Sequence, residues 1–98
     1  MNPVDFSDLK NKTCVITGGG GVIGHALAHA LGRAGAKIAI VDLSQEAAGK
    51  VAKEIIEKYK VETVGVLANV LDKMSLLKAK EEINSSMGRI NLLINGAG

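Results

Sequence analysis

Four short apolar runs recur along the chain, and none of them alternates apolar with polar residues. They cover residues 14–16, 38–41, 64–68 and 92–94. Continuous apolar runs of this length are typical of strands whose two faces are both buried, as in a parallel sheet. The pattern therefore predicts four buried strands.

The segments between these runs carry apolar residues at helical spacing, with charged residues on the opposite side. Helix ends agree with this assignment, because Gly35 and Gly88 stand where helix-ending residues are expected, and Ser44 can cap the second helix. Asp72 or Ser75 can start the third helix. In chain order, the three predicted apolar faces consist of Ile23, Leu27, Leu31 and Ala34; Ala48, Ala52, Ile55 and Tyr59; and Leu76, Ala79, Ile83 and Met87.

Strands and helices thus alternate in the order β-α-β-α-β-α-β. Because crossovers between parallel strands are right-handed, this order predicts an α/β fold with a parallel sheet and helices on both faces. The expected strand order is 3-2-1-4. Residues 1–11 are expected to form an N-terminal arm, and residues 12–98 are expected to form only the N-terminal half of a domain. The fourth strand would be an exposed edge, apolar on both faces, which favours pairing with another chain. We therefore expect a homo-oligomer, or a chain that is part of a longer one.

A glycine-rich loop joins the first predicted strand to the first predicted helix, with five glycines between Gly18 and Gly24. Backbone N–H groups at a helix N-terminus lack helical partners, and the helix dipole adds partial positive charge there. Without side chains, such a loop can cradle a pyrophosphate, as in a Rossmann-type dinucleotide-binding domain. The alternative is a tight turn without a ligand, which needs fewer glycines. The residues of this loop predicted to bind the cofactor are Gly18, Gly20, Gly21, Val22 and Ile23.

An acidic residue, Asp42, ends the second predicted strand. A carboxylate at this position can accept hydrogen bonds from the hydroxyls of the adenosine ribose and would repel a 2′-phosphate. Leu43, beside it, offers no positive charge. We therefore predict that Asp42 and Leu43 contact the cofactor, and that NAD is favoured over NADP. In the alternative interpretation, Asp42 simply caps the second helix.

The loops after the third and fourth predicted strands complete the predicted site. Ligands of open α/β sheets bind at the carboxyl ends of the strands, where these loops lie. Side-chain amides and small residues there suit an adenine ring and a ribose. The predicted contacts are Asn69 and Val70 after the third strand, and Asn95, Gly96 and Ala97 after the fourth.

The glycine loop and the segments after the third and fourth predicted strands resemble the motifs of the short-chain dehydrogenase/reductase family. The family's glycine loop has the pattern T-G-x-x-x-G-x-G, which this chain matches at Thr17, Gly18 and Gly24, with Val22 in place of the middle glycine. Asn69 replaces the usual Asp after the third strand, and N-G-A-G replaces N-N-A-G after the fourth. The strings T-G-G-G-G-V and N-G-A-G look closest to the branch of D-mannonate oxidoreductases, also called fructuronate reductases. If position 22 required a positive φ, valine would be costlier there than glycine.

The resemblance implies an NAD-dependent oxidoreductase that transfers hydride between nicotinamide and a hydroxyl or carbonyl carbon, with a sugar acid such as D-mannonate or fructuronate as substrate. The family's catalytic Asn, Ser and Tyr-x-x-x-Lys would lie beyond Gly98. The single tyrosine, Tyr59, has Thr63 where that lysine would stand and is expected to serve packing. No catalytic residue is therefore expected in this chain, which alone would be inactive. The alternatives are a dinucleotide-binding module without chemistry and an inactive isolated fragment.

Composition and charge narrow the range of partners. The net charge of +2 is spread along the chain without a basic block, so no nucleic-acid partner is expected. No apolar run approaches the ~20 residues of a membrane helix, so no membrane partner is expected. The single cysteine, Cys14, excludes an internal disulfide and fits a reducing compartment, which predicts a cytoplasmic location. Its place in a predicted strand indicates a small buried side chain.

Two histidines, His25 and His29, lie four residues apart on the first predicted helix, a spacing that can bind a metal ion. They flank the predicted buried stripe, and no Cys, Asp or Glu follows them within one helical turn. Because a zinc site normally needs further ligands, no metal is expected.

Overall fold

The computed structural model describes residues 6–96 of the chain. Four strands alternate with three long helices after a short 3₁₀ helix at Phe6–Leu9. The strands are β1 (Thr13–Thr17), β2 (Lys37–Asp42), β3 (Thr63–Leu67) and β4 (Ile90–Asn95). The helices are α1 (Val22–Arg33), α2 (Gln45–Tyr59) and α3 (Lys73–Met87).

The four strands form one parallel sheet in the order β3-β2-β1-β4. Both the Rossmann-type α/β fold and the strand order predicted from the sequence are confirmed. The register pairs Thr17 with Val41 and with Asn95, and Asp42 with Leu67. The carboxyl ends of all four strands therefore meet at one edge of the sheet, where the predicted site lies.

The two faces of the sheet carry separate hydrophobic layers, because successive side chains of a strand point to opposite sides. Cys14, Ile16, Ile38 and Ile40 pack under α1 and α2, together with Leu31 and Ile55 from those helices. On the opposite face, β1 and β2 contribute Val15, Ala39 and Val41, which pack with Ala79, Ile83 and Met87 of α3. Helices thus cover both faces, as predicted.

The buried stripe of α1 differs by one position from the predicted one. The side of α1 that is buried consists of Gly24, Ala28, Leu31 and Gly32, whereas Ile23 is 60 % exposed. Three of the four buried residues are small, which lets the helix lie close to the sheet and to α2. The prediction that Ile23 belongs to the core is therefore wrong, because glycine and alanine take the closest positions and turn Ile23 outward.

Helix ends follow the predicted chemistry. The Ser44 hydroxyl accepts a hydrogen bond from the Ala47 N–H at 3.1 Å and caps α2. Asp72 caps α3 in the same way, and Gly35 follows α1 with a positive φ of 87°. Because Ser44 is the capping residue of α2, the alternative in which Asp42 serves only as that cap is wrong.

β4 lies at one edge of the sheet, as predicted for the fourth strand. Alternate residues along it are exposed, so it is not buried on both faces as its apolar run alone indicated. Leu93, in the middle of the strand, is 51 % exposed.

In residues 6–96, none of the helices combines the length and the apolar character needed to cross a bilayer.

We propose that the chain self-associates through the edge formed by β4, because unpaired strand edges with apolar side chains pair readily. Replacing Leu93 with lysine places a charge in that edge, and light scattering is expected to show a shift from dimer mass to monomer mass. The matched control is Leu71→Lys, at a residue that is 92 % exposed outside the sheet and should leave the mass unchanged. A monomeric unmodified chain would contradict the proposal.

Candidate functional site

A cleft of about 460 Å³ opens at the carboxyl ends of the strands, between the start of α1 and the loops after β2, β3 and β4. Eight of the predicted cofactor contacts line it, and Ala68 joins them as a residue that the sequence analysis missed. Ala68 directly follows β3, so its place at the strand end was the available signal. The lining residues are Gly18, Gly21, Val22, Ile23, Asp42, Leu43, Ala68, Val70 and Gly96.

The glycine loop is folded by backbone hydrogen bonds and by one left-handed residue. Gly18 has a φ of 68°, a conformation that favours glycine, and its N–H donates to the Val41 carbonyl at 2.7 Å. The Gly21 N–H then donates back to the Gly18 carbonyl at 3.1 Å, which closes the turn. The chain is thereby redirected from β1 into α1 within four residues, and its backbone faces the cleft.

Close packing between this loop and α1 requires a residue without a side chain at position 24. A Cβ atom at Gly24 would lie 2.5 Å from the Gly18 carbonyl oxygen and 2.6 Å from the Gly19 Cα. Real Cβ atoms essentially never approach other atoms this closely, and backbone cannot move aside cheaply. Gly24 therefore holds the N-terminus of α1 against the loop.

The N-terminus of α1 presents backbone donors to the cleft. The first bond within the helix runs from the His25 N–H to the Gly21 carbonyl at 2.8 Å, and no side chain caps the helix. The N–H groups of Val22, Ile23 and Gly24 precede that bond, and the helix dipole adds partial positive charge at the same place. Such an end favours a phosphate group.

Val22 is not strained where the family pattern has glycine. It is the first residue of α1, so its φ lies in the helical range and the cost considered for a positive φ does not arise. Its side chain is 88 % exposed and lines the cleft. Valine at this position therefore leaves the backbone donors in place and adds an apolar wall.

Asp42 organises the glycine loop as well as facing the cleft. Its Oδ2 accepts a hydrogen bond from the Gly20 N–H at 3.0 Å, and its Oδ1 accepts one from the Ser44 N–H at 3.0 Å. A carboxylate offers about four acceptor positions, so two of them are left for hydroxyl donors from a ligand. Gly20 itself does not line the cleft, because Asp42 holds its N–H.

The walls of the cleft are apolar and exposed. Leu43 is 67 % exposed and Ile23 60 %, although both are large hydrophobic residues. Together with Val22 and Val70, they present apolar surface around the acceptor and donor groups. Exposed apolar surface that surrounds a few convergent polar groups is typical of ligand pockets.

Two further predicted contacts, Asn69 and Asn95, do not line the cleft, and a third, Ala97, cannot be placed. The Asn69 side-chain oxygen accepts from the Leu71 N–H at 3.0 Å and so shapes the loop after β3. The Asn95 side-chain oxygen accepts from the Thr17 hydroxyl at 3.1 Å, which ties β4 to β1. Ala97 lies outside the described residues.

Among residues 6–96, the cysteine and the tyrosine both lie away from the cleft lining. Cys14 is fully buried in β1, and burial raises the pKa of its thiol, so it stays protonated and inert. Tyr59 packs at the end of α2 against the core, as predicted. The geometry of this cleft can therefore bind and orient a ligand that carries phosphate and hydroxyl groups.

The comparisons with known proteins agree with this geometry. The family model for short chain dehydrogenases matches residues 12–98. An uncharacterised oxidoreductase of Bacillus subtilis, UxuB, is 47 % identical over 91 residues, which are 93 % of this chain and 32 % of that protein. The chain spans about a third of the length of the curated relatives it matches.

Two solved structures show the same fold with a cofactor bound. The structure of a protein assigned as a D-mannonate oxidoreductase from Haemophilus influenzae, with bound NAD, has a TM-score of 0.87 and 39 % identity, covering 95 % of this chain and 34 % of that one. The structure of L-sorbose reductase from Gluconobacter frateurii, with NADPH and L-sorbose, has a TM-score of 0.87 and 30 % identity. It covers 92 % of this chain and 34 % of that one.

Proposed function

We propose that this chain binds NAD in the cleft at the carboxyl end of its sheet, as the cofactor-binding part of an oxidoreductase that transfers hydride. The chain belongs to the short-chain dehydrogenase family, because that family's model matches residues 12–98. The observation that carries the proposal is the convergence of two features on one cleft. Uncapped N–H groups at the start of α1 face it, and the Asp42 carboxylate also lines it. A dinucleotide needs both, because it carries a pyrophosphate and a ribose.

The residues of the cleft fit the cofactor part by part. We assign the pyrophosphate to the glycine loop and to the N-terminus of α1, at Gly18, Gly21, Val22 and Ile23. Gly20 belongs to the proposed site through its N–H, which positions the Asp42 carboxylate. The Asp42 carboxylate would accept hydrogen bonds from the adenosine ribose. Leu43, Ala68 and Val70 supply the apolar surface that suits an adenine ring. Asn69, Asn95, Gly96 and Ala97 complete the proposed contacts at the far strand ends.

NAD is the proposed cofactor in preference to NADP. The Asp42 carboxylate would repel the 2′-phosphate of NADP, because both groups are negative in a cleft with apolar walls. Leu43 beside it offers no compensating cation. Both cofactors are bound by structures similar to this chain, so the preference rests on these two residues.

The described residues bind and orient the cofactor in this proposal and do not take part in proton transfer. When bound, the nicotinamide ring carries the hydride. The start of α1 would hold the pyrophosphate, and Asp42 would hold the ribose through its carboxylate. We place the acid–base groups of the reaction outside the described residues, because Tyr59 has Thr63, and not lysine, at the fourth following position.

We propose a sugar acid such as D-mannonate or fructuronate as the substrate of the whole protein. Support comes from the similarity to the structure assigned as a D-mannonate oxidoreductase, and from the sugar-directed names of two further relatives, sorbose reductase and sorbitol-6-phosphate 2-dehydrogenase. The cytoplasmic location stays a prediction of the sequence.

Calorimetric titration of the chain with NAD and with NADP tests the proposed cofactor. The expected result is saturable binding of NAD with one site per chain, and binding of NADP that is roughly tenfold or more weaker, since one charge repulsion is worth about 1.4 kcal/mol or more. Circular dichroism of the same sample shows that the chain is folded. Absence of binding by a folded chain, or preference for NADP, would overturn the assignment.

A further inference from the structure

A second cluster of polar side chains lies between α1 and α2. His25 and His29 come from successive turns of α1, and Glu54 comes from α2. The Glu54 Oε1 lies 3.0 Å from the His25 Nε2 and 2.7 Å from the His29 Nε2, and the two Nε2 atoms are 3.2 Å apart. No acidic partner for the histidines is visible in the local sequence, because packing of the next helix brings Glu54 to them.

The three contacts cannot all be hydrogen bonds. An imidazole Nε2 carries at most one hydrogen, and an ionised carboxylate carries none. A glutamate side chain is ionised at neutral pH, because its ordinary pKa is about 4.3. If both rings donate to Glu54, their two N–H groups also face each other across 3.2 Å. Two hydrogens are thus available for three contacts.

A metal ion removes this conflict, because each of the three atoms can direct a lone pair at a common centre. Zinc binds histidine nitrogen and carboxylate oxygen at about 2.0–2.2 Å in tetrahedral sites, which places neighbouring ligand atoms about 3.3 Å apart. The observed separations of 2.7, 3.0 and 3.2 Å lie near that value. Small outward rotations of the side chains would separate the three ligand atoms enough for an ion to bind between them.

The surroundings of His29 match those of a ligating histidine. Its second nitrogen, Nδ1, lies 2.8 Å from the Tyr59 hydroxyl. With a metal on Nε2, the hydrogen of His29 resides on Nδ1 and can be donated to that oxygen. Such outer partners fix the tautomer and the orientation of metal-binding histidines. The Tyr59 ring also stacks edge-on with the His29 ring, with centroids 5.5 Å apart.

We propose that His25, His29 and Glu54 form a binding site for a divalent transition-metal ion of the zinc type. Two imidazoles and one carboxylate are a zinc ligand set that leaves a fourth position for water. The His25 and Glu54 side chains are each 43 % exposed, so solvent reaches that position. Because the ligands come from two helices, the ion would join α1 to α2 and stabilise the fold.

Zinc titration of chelator-treated chain tests the site. Calorimetry is expected to show one zinc ion bound per chain. The midpoint temperature of thermal unfolding is expected to rise by roughly 10 °C when the free zinc concentration is about 100 times the dissociation constant. The variants His29→Ala and Glu54→Gln should each lose at least about 100-fold in zinc affinity, whereas Tyr59→Phe should lose about 10-fold. Cobalt substitution should give the visible absorption bands of a tetrahedral site.

The matched control is Glu57→Gln, an exposed carboxylate on the same helix that should leave zinc affinity unchanged. If His29→Ala fails to fold, His25→Gln changes the more exposed ligand and serves in its place. Absence of saturable zinc binding by the unmodified chain would overturn the proposal. Equal zinc affinity in the chain and in the ligand variants would overturn it as well.

Discussion

Replacing Gly24 with alanine is expected to destabilise the chain by about 3 kcal/mol or more, and to abolish NAD binding in whatever fraction still folds. The added methyl group would lie 2.5 Å from the Gly18 carbonyl oxygen and 2.6 Å from the Gly19 Cα, so α1 and the glycine loop must separate. That separation moves the first-turn N–H groups away from the cleft. Urea denaturation and NAD titration of the variant measure the two effects.

The control for this prediction is the same substitution at Gly49, in the exposed middle of α2. A Cβ atom there meets nothing within 4 Å, and the residue is helical. Because alanine favours the helix and restricts the unfolded chain, Gly49→Ala should stabilise the fold by about 0.5–1 kcal/mol. NAD affinity should not change. A Gly24→Ala variant as stable as the unmodified chain would show that the loop and α1 are not tightly packed.

Replacing Asp42 with alanine is expected to lower the affinity for NAD by about 10- to 100-fold. The ribose hydroxyls would lose the carboxylate that accepts their hydrogen bonds, and a hydrogen bond that involves a charged group contributes about 1.5–3 kcal/mol. The variant also leaves the Gly20 and Ser44 N–H groups without their acceptor, which loosens the loop. NADP is also relieved of the repulsion from the carboxylate, so its affinity should fall less than that of NAD, and the ratio of the two affinities should become smaller. Calorimetry with both cofactors measures this.

The matched control is Glu46→Gln, which removes a carboxylate in the first turn of α2. It changes the net charge by the same amount as Asp42→Ala but lies outside the cleft lining. NAD affinity should therefore stay within about twofold, because exposed charges act weakly over distance. An Asp42→Ala variant that binds NAD as tightly as the unmodified chain would rule out Asp42 as the ribose acceptor.

The strands, the helices and the place of the cleft could be predicted from the sequence, because they follow from local patterns. Continuous apolar runs marked the strands, and the glycine loop marked the turn into α1. The right-handed crossover rule then predicted a parallel sheet with helices on both faces, and the structure also shows the expected strand order. Asp42 and Leu43 could be placed at the cleft since Asp42 ends a predicted strand and Leu43 follows it.

The parts that could not be predicted depend on contacts between distant residues. The buried stripe of α1 was misplaced because Gly24 and Gly32 add little to a hydrophobic pattern, although they determine how close the helix lies. The bond from Gly20 to Asp42 spans a strand and a helix, so no local pattern shows it. In the same way, Glu54 reaches His25 and His29 only because α2 packs beside α1.

Residue-resolved NMR titration of the isotope-labelled chain with NAD tests the central claim most directly. The account predicts that the amide signals of Gly18, Gly21, Val22 and Ile23, and those of Asp42 and Leu43, shift together and saturate at one NAD per chain. Amides at the amino ends of the strands, such as Thr13 and Lys37, should not move. Shifts confined to other surfaces, or no shifts at saturating NAD, would contradict the assignment of the cleft as a dinucleotide site.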